Sequence, residues 1–490
     1  MTSMPSSIHI QNCPAQLFLE TWRELCLVDS TSRATSSPPK KEVQNLIKGI
    51  LEEPNGEKIY IWLETVKMES MRPEEALGMR LYIMQAIDRM FYRIHPRAVF
   101  VQSGYARPII PDWLESIKIS RRKLGMYKND GDFFLIPRGP LVREARDENA
   151  SFSDSLADRF TALAVVSRQL TLQEGRPIRI VHKVISHDAI SGVPVGITAG
   201  AEVVACIPIA ELSVDLVANE RTINNKIFVD YRLHPSLNAA DKVFKALAQV
   251  DIPLDIAMAP ELVVSELHAD ELANSFLART DGKLRLIVAG SGQTSSLRGA
   301  QPWNEARILS GNGTELWRQR KILPAGITSA TAIKYGLSDP GEGMSYEDTA
   351  AGTELVVADI YGLGRCVVLI CQDFEARPMT DELIRTYQPD WIFIPILDPG
   401  IRIGNWAHQR AFELSSISQA RFLIVSSTGL AHKINPESLI ACGLAVGPKT
   451  TSGGDTTRAY FDAAIELGSS AGYALIKWRS PDGWCRTVLS

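Results

Sequence analysis

Apolar residues in the first third of the chain recur at helical spacing. In residues 42–53, "EVQNLIKGILEE", Val43, Leu46, Ile47, Ile50 and Leu51 share one face. Residues 73–96, "PEEALGMRLYIMQAIDRMFYRIHP", open on a proline and two acids and end on a proline, the start and stop signals of a helix. The Ser/Thr/Pro-rich stretch 30–41, "STSRATSSPPKK", predicts a loop or linker. Residues 98–150 mix short strands with loops. "FSDSLADRFTALAVVSRQL", residues 152–170, predicts one more helix, with Ser153 as its N-cap.

Beyond about residue 178 the pattern changes. Short β-branched runs follow one another: "IRIVHKVI", "KIFVDYR", "LDIAMAP", "LRLIVAG", "RCVVLIC", "DWIFIPI" and "FLIVSST". Helical patterns such as "NAADKVFKALAQV" and "AHQRAFELSSISQA" separate several of them. Alternating strands and helices predict an α/β domain. The chain therefore divides into a mainly helical region 1–178, regulatory or partner-binding in character, and an α/β domain 179–490. No internal repeat of fixed period is visible.

Composition narrows the function classes. The 490 residues suffice for two or three domains, and 45% hydrophobic with 22% charged residues is ordinary for a globular chain. A net charge of −4 provides no global field for nucleic acid or anionic membrane. The one basic run, "KISRRKLGMYK", reads as a solvated face rather than a nucleic-acid contact. Seven cysteines without a CxxC pair argue against a disulfide scaffold and for a reducing, cytoplasmic setting. The opening residues lack a basic segment followed by an apolar run, so no signal peptide is expected. No stretch approaches 18 apolar residues, so no membrane span is expected either.

Three residues at predicted strand ends carry candidate chemistry. In "LICQDFEARPM" a strand-like run closes on Cys371. Such a cysteine is ordinarily a small buried hydrophobe. Glu261 follows the strand "LDIAMAP", where α/β sheets expose their C-terminal edge, and is otherwise a solvated loop acid. Lys321 ends a predicted hairpin in which Ala306–Leu309 and Glu315–Ile322 flank the turn "SGNG", and it is otherwise one of several surface cations in "RQRK". Together they make a coherent set. A thiol is mostly protonated at neutral pH; a carboxylate can take its proton, and an ammonium can stabilise thiolate and oxyanion.

These motifs resemble those of the carbon–nitrogen hydrolases of the nitrilase superfamily, over roughly residues 225–445. "APEL" is similar to the family's Glu motif, "NEARILSGNGTELWRQRKI" to its hairpin leading to Lys, and "GLGRCVVLICQDFEARP" to its Cys motif. "NWAHQRAFELSSISQARFLIVSSTG" is similar to its Trp-led helix and following strand. The four occur in order, with 60 residues from Glu261 to Lys321 and 50 from Lys321 to Cys371. The resemblance implies a four-layer α-β-β-α sandwich with Glu261, Lys321 and Cys371 as a catalytic triad. It also implies a second glutamate between Lys and Cys that positions substrate, for which Glu347 fits best and Glu342 is the fallback. Gln372 follows the nucleophile, where nitrilases proper often carry Trp; this favours amide or carbamoyl substrates over nitriles. The backbone N–H of Gln372 would join the oxyanion site. The resemblance implies a small-molecule amide-type substrate, a thioester intermediate, a homo-oligomer, and no metal or organic cofactor.

Other motifs weigh less. "GSSAG" matches G-x-S-x-G, but "YALIKW" after it looks extended and no histidine occurs after His432. His182 and His187 in "HKVISHDA" lack a third ligand cluster and read as surface residues. Cys366 and Cys371 stand five apart on one strand-like run, which argues against a shared zinc ion. A different class of function also fits: a catalytically silent scaffold whose N-terminal region binds a partner protein.

Overall fold

The computed structural model describes residues 12–68, 73–96, 109–139, 156–186, 201–277, 284–418, 420–434, 440–450, 460–469, 472–479 and 482–486. It divides into two compact units, Met1–Arg168 and Gln169–Ser490.

The first unit is built from the helices Pro14–Cys26, Lys41–Leu51, Gly56–Met68, Pro73–Tyr92 and Asp112–Leu124. Their apolar stripes meet in one core containing Phe18, Leu63, Ile83, Ile87, Phe91 and Trp113. The strands Lys128–Asn129, Phe133–Pro137 and Leu163–Ser167 form a small antiparallel sheet. Three expectations are corrected here. Within residues 98–150, expected as short strands and loops, Asp112–Leu124 is a helix, because Trp113, Leu114 and Ile117 bury one face and Gly125 at φ +84° closes its end. Ser30–Thr35 is a short helix rather than a loop, because the Asp29 side chain caps it by accepting the Ser32 N–H at 2.8 Å. The helix expected over 152–170 is a 3₁₀ turn, Leu156–Arg159, followed by the strand Leu163–Ser167. Ser153 lies outside the described residues. The strand prevails because Phe133–Pro137 offers it a pairing edge. The buried Asp88 carboxylate also holds the Ala162 and Leu163 N–H groups, at 2.9 and 2.8 Å.

The second unit is a mixed α/β structure around two large sheets. One runs, in spatial order, Glu315–Arg320, Gln301–Ser310, Leu284–Arg298, Leu254–Met258, Val203–Cys206, Ala474–Arg479, Gly483–Arg486. The other runs Tyr460–Gly468, Ala441–Thr450, Arg421–Ser426, Trp391–Ile396, Gly364–Val368, Glu354–Ile360, Pro177–Ile185, Gln169–Thr171. The sheets share a core: Ile256, Met258, Val288 and Ile308 of the first pack with Val368, Trp391, Phe393 and Val425 of the second. On the far side of the first sheet, Ala257, Ile287 and Ala289 pack against the helices Ala239–Ala248 and Glu266–Leu277. The helices Met379–Tyr387 and Trp406–Ser418 lie against each other, and Trp406–Ser418 also contacts the strands Arg421–Ser426 and Ala441–Thr450 of the second sheet. Strands covered on both faces need apolar residues at every position, which is why they read as unbroken hydrophobic runs.

A smaller sheet runs Gly326–Thr328, Met344–Glu347, Lys226–Leu233, Leu216–Ile223, and Glu347 ends its second strand. His182 is buried on Pro177–Ile185, 3.5 Å from Asp359, so the surface placement expected for it is corrected; His187 lies outside the described residues. No helix among the described residues is long and apolar enough to cross a membrane.

Candidate active site

The site forms where strands of both large sheets end. Leu254–Met258 runs parallel to Leu284–Arg298, and just past its end the chain turns through Leu262, whose φ is +64°. This turn sets Glu261 against the other sheet. The Glu261 N–H donates to the Ile396 carbonyl at 3.4 Å, and Oε2 accepts the Leu397 N–H at 3.1 Å. Gly290 is required beside it: a Cβ there would meet the Pro260 carbonyl at 2.3 Å.

The hairpin expected from "SGNG" is present, with Ile308 opposite Trp317 and Gly313 at φ +83° in the turn. Its second arm ends at Arg320, so Lys321 is the first residue beyond the sheet. Cys371 follows the strand Gly364–Val368 and opens a 3₁₀ turn, Cys371–Glu375. Its φ is +46°, a left-handed conformation costing a side-chain-bearing residue about 1–3 kcal/mol. A position that tolerates such strain is over-determined by its surroundings.

Glu261, Lys321 and Glu347 meet in one buried cluster. Lys321 Nζ donates to Glu261 Oε1 at 2.7 Å and also pairs with Glu347 Oε2. Asn304 Nδ2 bridges the two carboxylates, 3.0 Å from Glu261 Oε1 and 2.9 Å from Glu347 Oε1. The half-buried Cys371 thiol adjoins this cluster, close enough to feel the charges of Glu261, Lys321 and Glu347. Glu342, the fallback for Glu347, is exposed in a turn. The Gln372 side chain points to Glu375, 3.1 Å away, while its backbone N–H has no acceptor among the described residues.

The charges are coupled. Burial, opposed by Lys321 and reinforced by Glu347, raises the Glu261 carboxyl above the ordinary glutamate range. Burial and the Glu261 charge push the Cys371 thiol well up, so it rests protonated. Burial works against the Lys321 ammonium, but the two glutamates outweigh it and hold the proton on. The arrangement is a neutral thiol beside a carboxylate of raised basicity, with a permanent cation adjoining both.

Several residues that sequence reasoning did not single out complete the site. Asn304 is one polar position within a buried strand. Asp373 accepts backbone N–H groups from Ile322 (3.0 Å), Leu323 (2.8 Å) and Ile370 (3.3 Å), which locks the Lys321 segment to the Cys371 turn. Asp398 accepts from Trp406 Nε1 at 2.8 Å, and its charge bears on both Cys371 and the half-buried Tyr335. Asp398 closes the apolar run Trp391–Leu397, and that was its available signal; Asn304 stands among the polar residues Glu305 and Arg307 and carried none. Among the described residues, no group of three or more His, Cys, Asp or Glu is arranged to hold a metal ion. A groove of about 610 Å³ opens beside Leu262, lined by Arg232, Glu266, His268 and Ser295 among others, and does not include Cys371. Gly468 of "GSSAG" ends a strand, and the next described element, Ala474–Arg479, is again a strand.

By sequence, no family model and no curated protein matches the chain. By structure, it is similar to solved members of the nitrilase, or carbon–nitrogen hydrolase, superfamily. Nit3 of Saccharomyces cerevisiae aligns at 13% identity over 59% of this chain and 90% of its own, with a TM-score of 0.32. An amidase from Nesterenkonia sp. AN1 aligns at 14% identity over 57% and 93%, with a TM-score of 0.33. The protein XC1258 of Xanthomonas campestris aligns at 12% identity over 57% and 91%, with a TM-score of 0.32.

Proposed function

We propose that the second unit is a cysteine-dependent hydrolase of a non-peptide carbon–nitrogen bond, amide or carbamoyl, in a small molecule. The observation that carries this reading is the buried Lys321–Glu261 contact of 2.7 Å, with the Cys371 thiol adjoining the same charges. Cys371 Sγ attacks the substrate carbon as Glu261 takes the thiol proton, which removes the need for a free thiolate at rest. The Lys321 ammonium and the Gln372 N–H stabilise the oxyanion. The tetrahedral species collapses as Glu261 hands the proton to the leaving nitrogen; the C–N bond breaks and a thioester remains. Water, deprotonated by Glu261, attacks the thioester carbon, the C–S bond breaks, and the thiol recovers its proton. Glu347 holds Lys321 and Asn304 in place and borders the substrate.

All seven cysteines are unpaired thiols, which fits a reducing compartment such as the cytoplasm. A homo-oligomer, and a regulatory or partner-binding role for the N-terminal region of about 178 residues, belong to the same proposal. The experiment is a screen for ammonia or amine release from small amides and carbamoyl compounds, with Cys371→Ala and Glu261→Gln beside the parent. The expected result is turnover by the parent alone. Equal turnover in both variants would remove the hydrolase and leave the silent-scaffold alternative.

A further inference from the structure

One side chain distant in sequence from the proposed triad grips the backbone next to Lys321. Arg176 lies between the strands Gln169–Thr171 and Pro177–Ile185, the first two of the second unit. Its Nη1 donates to the Gly352 carbonyl at 2.8 Å and its Nη2 to the Ile322 carbonyl at 3.1 Å. Gly352 in turn donates its N–H to the Lys321 carbonyl at 2.8 Å. The planar guanidinium thus joins the segment after Lys321 to the loop after Glu347, and that loop grips Lys321 itself. The approach is close: a Cβ on Gly352 would meet the Lys321 carbonyl oxygen at 2.8 Å and that of Arg320 at 3.1 Å.

The grip has a counterpart. Asp373, two residues after Cys371, accepts the Ile322 N–H. The peptide groups flanking Ile322 are therefore held by a carboxylate on the N–H and a guanidinium on the carbonyl, from segments about 200 residues apart in sequence. The turn carrying Arg176 also reaches the nucleophile side, where Leu172 bridges Pro378 in antiparallel fashion. Lys321 reaches the two glutamates only if its backbone stays where these contacts put it. An ammonium displaced by about 1 Å gives up most of a buried, charge-assisted hydrogen bond.

We infer that Arg176 is a positioning residue for Lys321, acting through the Ile322 and Gly352 carbonyls; its consequence for turnover rests on the hydrolase reading above. It touches no reacting atom. Its effect is on the ammonium that balances Glu261, and so on the pH at which Glu261 becomes a base.

The test uses the full chain, with Arg176→Ala, Arg176→Lys and the control Arg179→Ala. Arg179, on the strand Pro177–Ile185, pairs with the exposed Glu354 of the adjacent strand Glu354–Ile360 and leaves Ile322 untouched. Two readouts are taken: hydrogen exchange of the peptide spanning residues 318–326, and the pH profile of Cys371 alkylation by iodoacetamide. In Arg176→Ala the Ile322 and Leu323 amides are expected to exchange about tenfold faster, and the rise of alkylation with pH is expected to move upward. Arg176→Lys, able to reach one carbonyl, is expected to fall between Ala and parent, and it carries the test if the Ala variant does not fold. Exchange and pH profile indistinguishable from Arg179→Ala would overturn the inference. A parent in which Cys371 alkylates no faster than an ordinary thiol would overturn the hydrolase reading instead, while the exchange measurement still decides the role of Arg176.

Discussion

The Asp373 carboxylate accepts the backbone N–H of Ile322 at 3.0 Å, so the residue two places after the candidate nucleophile fixes the residue one place after the candidate ammonium. The same carboxylate takes the N–H of Leu323 on one oxygen and that of Ile370 on the other. Two segments 50 residues apart are thereby one rigid body around the thiol. Asparagine at 373 has one acceptor oxygen and must turn an NH2 toward a backbone donor. Asp373→Asn is expected to cost about 1–3 kcal/mol, with slower Cys371 alkylation, measured by denaturant unfolding and adduct mass.

A pH signature follows. Burial raises the Asp373 carboxyl to about 7 in the folded chain, against about 3.9 when unfolded. Between these values the folded state binds more protons. The contribution of Asp373 to stability is therefore full below about pH 4 and is lost as pH rises toward 7. The parent minus Asp373→Asn difference in unfolding free energy is expected to shrink from pH 4 to pH 7. A difference independent of pH would contradict the protonated, buried carboxyl.

The pH dependence of the thiol separates base-assisted attack from simple thiolate chemistry. Burial and the Glu261 charge raise the Cys371 thiol, and burial and Glu347 raise the Glu261 carboxyl while Lys321 opposes that rise. Alkylation of the parent is expected to rise through the Glu261 ionisation, above the ordinary glutamate range, and level off before a free thiol would titrate. In Glu261→Gln that acid-side rise is expected to vanish, leaving reaction only at alkaline pH. The same acid-side rise in both proteins would assign it to another group.

The parts legible in the sequence were those that stand at the end of a strand-like segment and match in order and residue type. Glu261, Lys321 and Cys371 each stand just past a strand, and the "SGNG" turn marked the hairpin that delivers Lys321. What was not legible depends on partners far along the chain. Leu163–Ser167 fits either period, and only its pairing with Phe133–Pro137 makes it a strand. Asn304 is read as a bridge only once Glu261 and Glu347 are known to flank it. Arg176 was hidden for the same reason, since its acceptors are carbonyls, which carry no trace in residue identity.

Removing the ammonium should expose how tightly the two glutamates are held. Without Lys321, Glu261 and Glu347 remain buried, sharing Asn304 but no cation. Lys321→Met is expected to lose about 3–5 kcal/mol at neutral pH. The loss should lessen on acidification, because a carboxyl raised in the folded state gains stability by binding a proton as pH falls. Unfolding curves at pH 5 and 7.5 test the sign.

Glu347 offers the converse perturbation. After burial, its charge is the other cause that lifts the Glu261 carboxyl, and it shares Lys321 with that residue. Glu347→Gln keeps the shape and removes the charge, so Lys321 is left to Glu261 alone. The acid-side rise of Cys371 alkylation is expected to move to lower pH, opposite to the shift expected for Arg176→Ala. Amide turnover is expected to fall about 10–100-fold, because the neutral side chain orients Lys321 less firmly. The two effects are separable: the pH profile reports the lost charge, and the rate at its plateau reports the lost orientation. A profile that stays in place while the plateau falls would show that the two carboxylates do not share one electrostatic site.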